Sequence, residues 1–228
     1  AQDKLLGTLI LIRDVTERQK LERMRGDLLH MLVHDMRNPL SVIINALHML
    51  RDPDTQEIAQ EINQLALSNA EQILTLVNAI LDINKLESGQ FDIRQEPHPL
   101  GPLLDYLDRQ ALLANNDITI ERDFPEDLPL AFIDPEVVRR VFQNLTDNAF
   151  KFVPAKQGRI QVTATQYDAH IKIEVFNNGP SISPEIKDRL FEKFIAGNYS
   201  GQGYGLGLAF CRLAVEAHGG EIWAENQP

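Results

Sequence analysis

Residues 134–152 read DPEVVRRVFQNLTDNAFKF, and this stretch decides the fold of the second half of the chain. Asp134 followed by Pro135 is a typical cap and first residue, which predicts a helix over 135–152. One line along this helix is apolar and comprises Val138, Val141, Leu145, Ala149 and Phe152. Another line is polar and comprises Asn144, Asn148 and Lys151. Because asparagine is a poor helix former, the polar line indicates either a binding site or a solvated helix face.

Short segments that alternate between polar and apolar residues surround this helix and predict strands. We place the strands at 91–96, 118–122, 130–133, 159–165 and 171–176. Helical patterns lie between them, at 99–114, 135–152, 184–190 and 206–218. The mixture of strands and helices predicts an α/β sandwich domain over residues 90–228.

Residues 14–89 carry helical patterns only. Asp14 and Glu17 have the spacing of a capping box and begin a helix that runs to about Leu50. Its apolar residues alternate three and four apart, as in a coiled-coil seam, at Leu21, Met24, Leu28 and Met31. The pattern predicts a coiled-coil linker that continues into the first helix of the domain.

A second helix follows the breaking residues 52–54 and ends near Gly89. Apolar residues lie along one side of it, at Ile58, Ile62, Leu65, Ile73, Val77, Ile80 and Leu81. Two long helices with a short connection predict a helical hairpin whose apolar side needs a partner. A four-helix bundle formed by two chains supplies that partner, so we expect a homodimer.

Composition narrows the class of protein. The chain has 228 residues, 43% of them hydrophobic, which is ample for a packed core. Its net charge of −11 would repel a phosphate backbone, so nucleic acid is not an expected partner. No apolar run is long enough to span a membrane, and the single cysteine, Cys211, favours a reducing compartment. We therefore expect a cytoplasmic location and no membrane contact, although the full-length parent could be membrane-anchored.

His34 is the candidate nucleophile of the first helix. If the seam continues to Asp35, His34 lies beside the seam and near solvent. Neutral imidazole is a nucleophile at physiological pH, and the Asp35 carboxylate can hold one ring proton and leave the other nitrogen to react. Two plainer interpretations stay open: an ordinary surface or core histidine, or a zinc pair with His30 that lacks an evident third ligand.

Two later stretches have the composition of a ligand-binding backbone. Residues 177–182, NNGPSI, end a predicted strand with a turn that lets the backbone approach a flat ligand, as any hairpin turn could. Five glycines then lie within residues 197–207 and lead into an apolar helix that begins near Leu206. Glycines allow the backbone to wrap a phosphate, and the helix start offers unpaired N–H groups to the anion.

The string HDMRNPL, residues 34–40, resembles the H box of sensor histidine kinases. This resemblance implies that His34 accepts the phosphoryl group and that Asp35 is its acid/base partner. It assigns Asn38 to the positioning of water when phosphate is removed from a response regulator. RDVTERQ, residues 13–19, is similar to linkers that follow a PAS sensor domain, so residues 1–13, with the strand-like GTLILI, are expected to end a truncated PAS-like domain.

The second half carries three further boxes of the same family. NLTDNAFKF, which contains Asn144, resembles the N box, where the position of Asn148 ligates Mg²⁺ and that of Lys151 meets phosphate. NNGPSI resembles the first glycine box and its Gly179, but Asn177 and Ser181 replace an aspartate and a glycine. LFEKF contains the paired phenylalanines that open the ATP lid, the second of which is Phe194. GYGLGLAF resembles the second glycine box and includes Gly203, Gly205, Leu206 and Gly207.

These resemblances imply an ATP- and Mg²⁺-dependent histidine kinase core. The γ-phosphate would pass to His34 and then to an aspartate of a response regulator receiver domain, with phosphatase activity toward that regulator, and residues 88–90 would act as a hinge. A degenerate nucleotide-binding signalling module is the alternative, because of Asn177 and Ser181. An ATPase that hydrolyses ATP for motion is disfavoured, because such relatives carry a glutamate base where this chain has Asn144.

Overall fold

The computed structural model of the chain describes residues 16–51, 58–104, 117–125, 127–195 and 204–227, with side chains from residue 32 onward. It divides into two compact units, Ala1–Ile73 and Leu74–Pro228. The division falls inside a long helix, whereas the sequence places its domain boundary near residue 90. The last turns of that helix therefore group with the second unit.

The first unit contains helix α1 (Thr16–Met49) and the first part of helix α2 (Ala59–Glu87). Two long helices in succession confirm the predicted helical hairpin. Ala46 of α1 and Ile62 of α2 are buried. The predicted caps at Asp14 and Asp54, and the side chains of the coiled-coil seam, lie outside the described residues. Neither α1 nor α2, nor any other described helix, is both long and apolar enough to cross a membrane.

The described residues of the second unit form two small sheets. Their strands are β1 (Glu96–His98), β2 (Ile118–Asp123), β3 (Ala131–Ile133), β4 (Gly158–Tyr167) and β5 (His170–Asn177). β1 and β3 pair antiparallel, and the other sheet has the order β2-β4-β5, with β2 parallel to β4 and β5 antiparallel to it. Four of the strands lie where they were predicted, whereas β1 shares only Glu96 with the strand predicted at 91–96 and continues to His98. Its partner β3 has only three residues, because Asp134 leaves the strand to cap a helix, so β1 can pair over three residues only.

Besides the end of α2, three helices lie in the described part of the second unit: α3 (Pro135–Phe152), α4 (Pro184–Lys187) and α5 (Gly207–Ala217). The described part of the helix expected at 99–114 is a single 3₁₀ turn, Gly101–Leu104, and residues 105–116 lie outside the described part. Leu103 and Leu104 of this turn are buried in a core cluster with Leu100, Phe142 and Val162. The α/β layout that was predicted for this half is confirmed.

Candidate functional site

His34 lies on α1 with 65% of its side chain exposed, as the sequence predicted. Its Nδ1 lies 3.3 Å from Oδ1 of Asp35, whose side chain is 30% exposed. A carboxylate accepts a hydrogen bond, so this contact assigns the ring proton to Nδ1 and leaves Nε2 as the nitrogen with a lone pair. Asn38 is exposed one turn further along the helix.

The residue that caps α3, Asp134, forms hydrogen bonds within the helix and with two distant segments of the second unit. Oδ1 of Asp134 accepts hydrogen bonds from the N–H groups of Glu136 and Val137, at 3.1 and 3.2 Å, and Oδ2 accepts one from the N–H of Arg94 at 2.9 Å. The N–H of Asp134 donates to Nε2 of His218, just beyond α5, at 3.0 Å. The predicted cap is confirmed, and hydrogen bonds of the capping residue hold the start of α3 in place.

A cavity of about 470 Å³ lies between α3, the end of β5 and the segment after α5. Asn148, Asn177 and Gly179 line it, so the structure brings together three of the residues that the sequence assigned to the nucleotide. Binding sites for small molecules in proteins usually have volumes of about 300–1,000 Å³. The cavity therefore has the size and the mixed polarity of a ligand site.

Gly179 is required by the protein itself. A Cβ at this position would lie 2.3 Å from the carbonyl oxygen of Phe152 at the end of α3, which no side chain tolerates. The sequence attributed this glycine to the approach of a ligand. The structure adds that the backbone turn packs directly against the end of α3.

Asn144 is placed at the contact between α3 and α5 and does not line the cavity. A Cβ on Gly207 would lie 3.1 Å from Oδ1 of Asn144, so the glycine lets the two helices approach. The neighbouring Cys211 is fully buried, its Sγ lies 3.7 Å from the carbonyl oxygen of Val141, and burial raises the pKa of its thiol to about 12 despite a hydrogen bond with the Asn144 side chain. Asn144 thus links the polar helix to the helix after the glycine-rich segment, and its contact with nucleotide stays a prediction.

Lys151 is half-buried, and burial lowers the pKa of its ammonium group. Its Nζ lies 5.0 Å from the ring centroid of Phe152. The lysine lies outside the residues that line the cavity, so its predicted contact with phosphate stays a prediction.

The two ends of the predicted lid are joined. The N–H of Phe194 donates to the carbonyl oxygen of Gly205 at 2.9 Å, and both residues have left-handed backbone, with φ of +62° and +64°. A Cβ on Gly205 would lie 2.8 Å from the carbonyl carbon of Phe194. Leu206 is buried and begins α5, whereas Gly203 lies outside the described residues.

Asn178 has a role that the sequence did not reveal. Its Oδ1 accepts from the N–H of Arg159 at 2.7 Å, and its Nδ2 donates to the carbonyl oxygen of Gln157 at 2.9 Å. Asn178 therefore ties the end of β5 to the beginning of β4, beside the cavity. In the sequence, the only indication of these hydrogen bonds was an asparagine at the end of a predicted strand.

The donor chemistry of the cavity suits a hard cation that keeps other oxygen ligands. Mg²⁺ is usually bound through one or two protein oxygens together with substrate phosphates and water, and the amide oxygen of Asn148 can supply one of them. Within the described ranges, no three His, Cys, Asp or Glu side chains come close enough to hold a metal ion.

The chain matches known families over both halves. Residues 24–89 match the His Kinase A (phospho-acceptor) domain, and residues 133–228 match the histidine kinase-, DNA gyrase B- and HSP90-like ATPase family. The chain is 31% identical over 231 residues to the adaptive-response sensory kinase SasA of Synechocystis sp., a match that covers 96% of this chain and 60% of that protein. The chain thus spans little more than half of this relative.

Solved structures share the fold. Full-length ShkA in complex with AMPPNP has a TM-score of 0.63 at 24% identity, covering 85% of this chain and 41% of that one. Histidine kinase ThkA in complex with the response regulator protein TrrA has a TM-score of 0.61 at 21% identity, covering 92% and 61%. Two family domains in this order, an exposed histidine in the first and a cavity beside the polar helix of the second lead to one conclusion: the chain belongs to the sensor histidine kinases of two-component signalling.

Proposed function

We propose that the chain transfers the γ-phosphate of ATP to His34 and then to an aspartate of a response regulator receiver domain. The observation that carries this proposal is the exposed imidazole of His34, whose Nδ1 contacts Asp35 and whose Nε2 is left to react. A histidine buried in a core would not expose its imidazole in this way.

The transfer step is a displacement at phosphorus. Nε2 of His34 forms a bond to the γ-phosphorus as the bond from that phosphorus to the β–γ bridging oxygen breaks, and ADP leaves with the electron pair. The imidazole gains a positive charge, and the Asp35 carboxylate beside Nδ1 stabilises it. In this proposal Asn38, which is exposed one turn along α1, orients water when phosphate is removed from the regulator.

The nucleotide belongs in the cavity lined by Asn148, Asn177 and Gly179. Asn177 would contact the base, and Asn148 would supply an oxygen ligand to Mg²⁺. Lys151 and the glycines around Gly205 would contact the phosphates. Mg²⁺ neutralises charge on the transferred phosphate when it is bound. Phosphoryl transfer of this kind depends mainly on position and charge, so the residues act by holding the phosphorus in line with His34.

Two copies of the chain form the working unit in this proposal. Exposed apolar side chains lie along one side of α1 at Val33, Leu40, Ile44 and Leu47, and at seven-residue spacing on α2 at Leu67, Leu74 and Leu81. Apolar side chains in this pattern are typical of helices that pack in a bundle, and a second copy supplies the missing helices. ThkA was solved with a response regulator protein, which supports a receiver domain as the second partner.

Incubation with γ-labelled ATP tests the proposal. We expect His34→Gln to abolish labelling while ATP binding persists, because the change removes the nucleophile and leaves the cavity intact. The label should be acid-labile and base-stable, as for phosphorus on nitrogen. His48→Gln is the matched control, since His48 is also exposed on α1 and should label as the parent does. Label retained on His34→Gln would refute the assignment, and binding without any label would indicate a degenerate nucleotide-binding module.

A further inference from the structure

We infer that the C-terminal end of α2 forms a latch that holds the nucleotide-binding domain until it must move. The α2 latch consists of two ion pairs, Asp82 with Arg140 and Glu87 with Lys193. Each pair joins the long helix to an element that builds the nucleotide site. The inference rests on the proposed function, because it concerns the movement that phosphoryl transfer requires.

The first pair combines a salt bridge with an aromatic contact. The Arg140 guanidinium on α3 binds the Asp82 carboxylate, and the two side chains are only 33% and 22% exposed. The same guanidinium lies 4.1 Å from the ring centroid of Phe210 on α5, which is buried. A planar guanidinium can bind a carboxylate at its edge and stack on a ring with its face, which lysine cannot do. Arg140 thus connects α2 to both helices that flank the nucleotide site.

The second pair reaches the base of the lid. Nζ of Lys193 lies 2.5 Å from Oε1 of Glu87, the last residue of α2. Lys193 immediately precedes Phe194, whose N–H is bonded to Gly205. The end of α2 is therefore tied to the segment that closes the two ends of the lid together.

The latch spans the predicted hinge at residues 88–90. The N–H groups of Ser88, Gly89 and Gln90 all donate to carbonyl oxygens in the last turn of α2, at 3.1, 3.2 and 2.9 Å. Gly89 has a left-handed backbone, with φ of +67°, as glycines that end helices usually do. With both ion pairs formed, the domain is fastened to the helix that precedes its own hinge, and the hinge cannot turn.

Phosphoryl transfer through one side chain requires that movement. The nucleotide-binding domain must approach His34 to phosphorylate it and must then leave so that a regulator can reach the same imidazole. Domain movements of this kind turn on a few residues between rigid elements. The latch must open before the domain can travel, so weakening it should raise the rate of autophosphorylation. Affinity for ATP should be unchanged, because none of the four paired residues lines the cavity.

The test compares Asp82→Asn, Arg140→Gln and Glu87→Gln with the parent chain at saturating Mg-ATP. We expect the initial rate of His34 labelling to rise roughly three- to tenfold while the Kd for ATP stays at the parent value. Arg139→Gln is the matched control, because it removes the same charge from the residue just before Arg140. Arg139 pairs with Glu136 of the same helix, at 2.7 Å, so this change should leave the rate unaltered. The exchanged pair Asp82→Arg with Arg140→Asp should return the rate toward that of the parent.

Amide hydrogen exchange at residues 88–95 gives a second measurement that does not depend on catalysis. Exchange should be faster in Asp82→Asn and Glu87→Gln than in the parent and in Arg139→Gln. Unchanged or lower labelling rates in the latch variants would overturn the inference, as would unchanged exchange. A parent chain that binds ATP but never labels His34 would instead refute the proposed function, and the exchange measurement would still decide whether the latch exists.

Discussion

Asn177, at the end of β5, is one of two residues that differ from the first glycine box that residues 177–182 resemble, where an aspartate is expected. Its side chain is half-buried and lines the cavity. The exocyclic amine of adenine donates a hydrogen bond, which a carboxylate accepts more strongly than an amide oxygen does. Turned around, the amide presents an NH₂ group that could meet the O6 acceptor of guanine.

We predict that Asn177→Asp tightens ATP binding and rejects GTP more strongly. A charge-assisted hydrogen bond is roughly twice as strong as a neutral one, and a difference of about 1 kcal/mol corresponds to a severalfold change in Kd. The measurement is the Kd for ATP and for GTP under one salt and magnesium condition. Gln166→Glu, which adds a charge at an exposed position of β4, is the control. Unchanged constants in Asn177→Asp would mean that the base is bound elsewhere.

Asn148 carries the second prediction at this scale. We expect Asn148→Ala to remove the Mg²⁺-dependent part of ATP binding, because the change deletes the side-chain amide of a residue that lines the cavity. The mass of the dimer should not change, since the helices that form the bundle are untouched. Titration of ATP with and without Mg²⁺ checks this, and an Mg²⁺ effect equal to that of the parent would contradict it.

At the scale of the elements, the start of α3 is stabilised by the hydrogen bonds of its capping residue. Asp134 caps the helix, accepts a hydrogen bond from Arg94 before β1 and donates one to His218 after α5. Burial alone would raise the pKa of the Asp134 carboxyl, but three backbone N–H groups and the nearby His218 hold that pKa below its ordinary value of 3.8. The charged form of this side chain therefore stabilises the helix that carries Asn148.

We predict that Asp134→Ala lowers the free energy of unfolding by roughly 1–2 kcal/mol at pH 7, the usual cost of losing a cap. A carboxyl whose folded pKa is lowered contributes stability that is present above its unfolded pKa and is lost as the pH falls through the folded pKa. The difference in the free energy of unfolding between the parent and Asp134→Asn should thus be largest near neutral pH and should shrink below pH 3.8. Urea unfolding at several pH values measures it, and a difference that does not vary with pH would contradict the assignment.

For the whole molecule, the exposed apolar residues of α1 and α2 are the feature that a single chain does not explain. Ile44 and Leu47 are 46% and 54% exposed, and they lie on the same side of α1 as Val33 and Leu40. Apolar side chains in register on one side of a helix are usually covered by another helix.

We predict that Ile44→Glu converts the dimer to monomers, because the change places a charge within the surface that two chains would bury. Light scattering gives the mass directly. Asn45→Glu adds the same charge at the next residue, which is exposed off this line of side chains, and should leave the dimer intact. Dimers of undiminished affinity in Ile44→Glu would place the interface elsewhere.

Local patterns in the sequence determined the long helices, the positions of β2 to β5, the cap at Asp134 and the order of the boxes. These features depend on a few neighbouring residues, since periodicity, capping and turn chemistry act within about four residues of the chain. For the same reason the histidine could be recognised as exposed: its place beside an apolar seam follows from helical spacing alone. The sequence also marked Asn148, Asn177 and Gly179, which the structure places around one cavity.

Only the tertiary structure decided which distant residues meet. Nothing near Arg140 in the sequence points to Asp82 or Phe210, and the contacts exist because the fold brings one side chain of α2 and one of α5 to the guanidinium on α3. Gly179 and Gly207 read as ligand glycines, but the backbone of Phe152 requires the first, and the second lies close to the Asn144 side chain. β1 was predicted at 91–96, five residues too early, because the start of a strand depends on its partner: residues before Glu96 would have to pair beyond Ile133, where Asp134 turns to cap α3. Such contacts depend on packing between elements, which one-dimensional patterns do not encode.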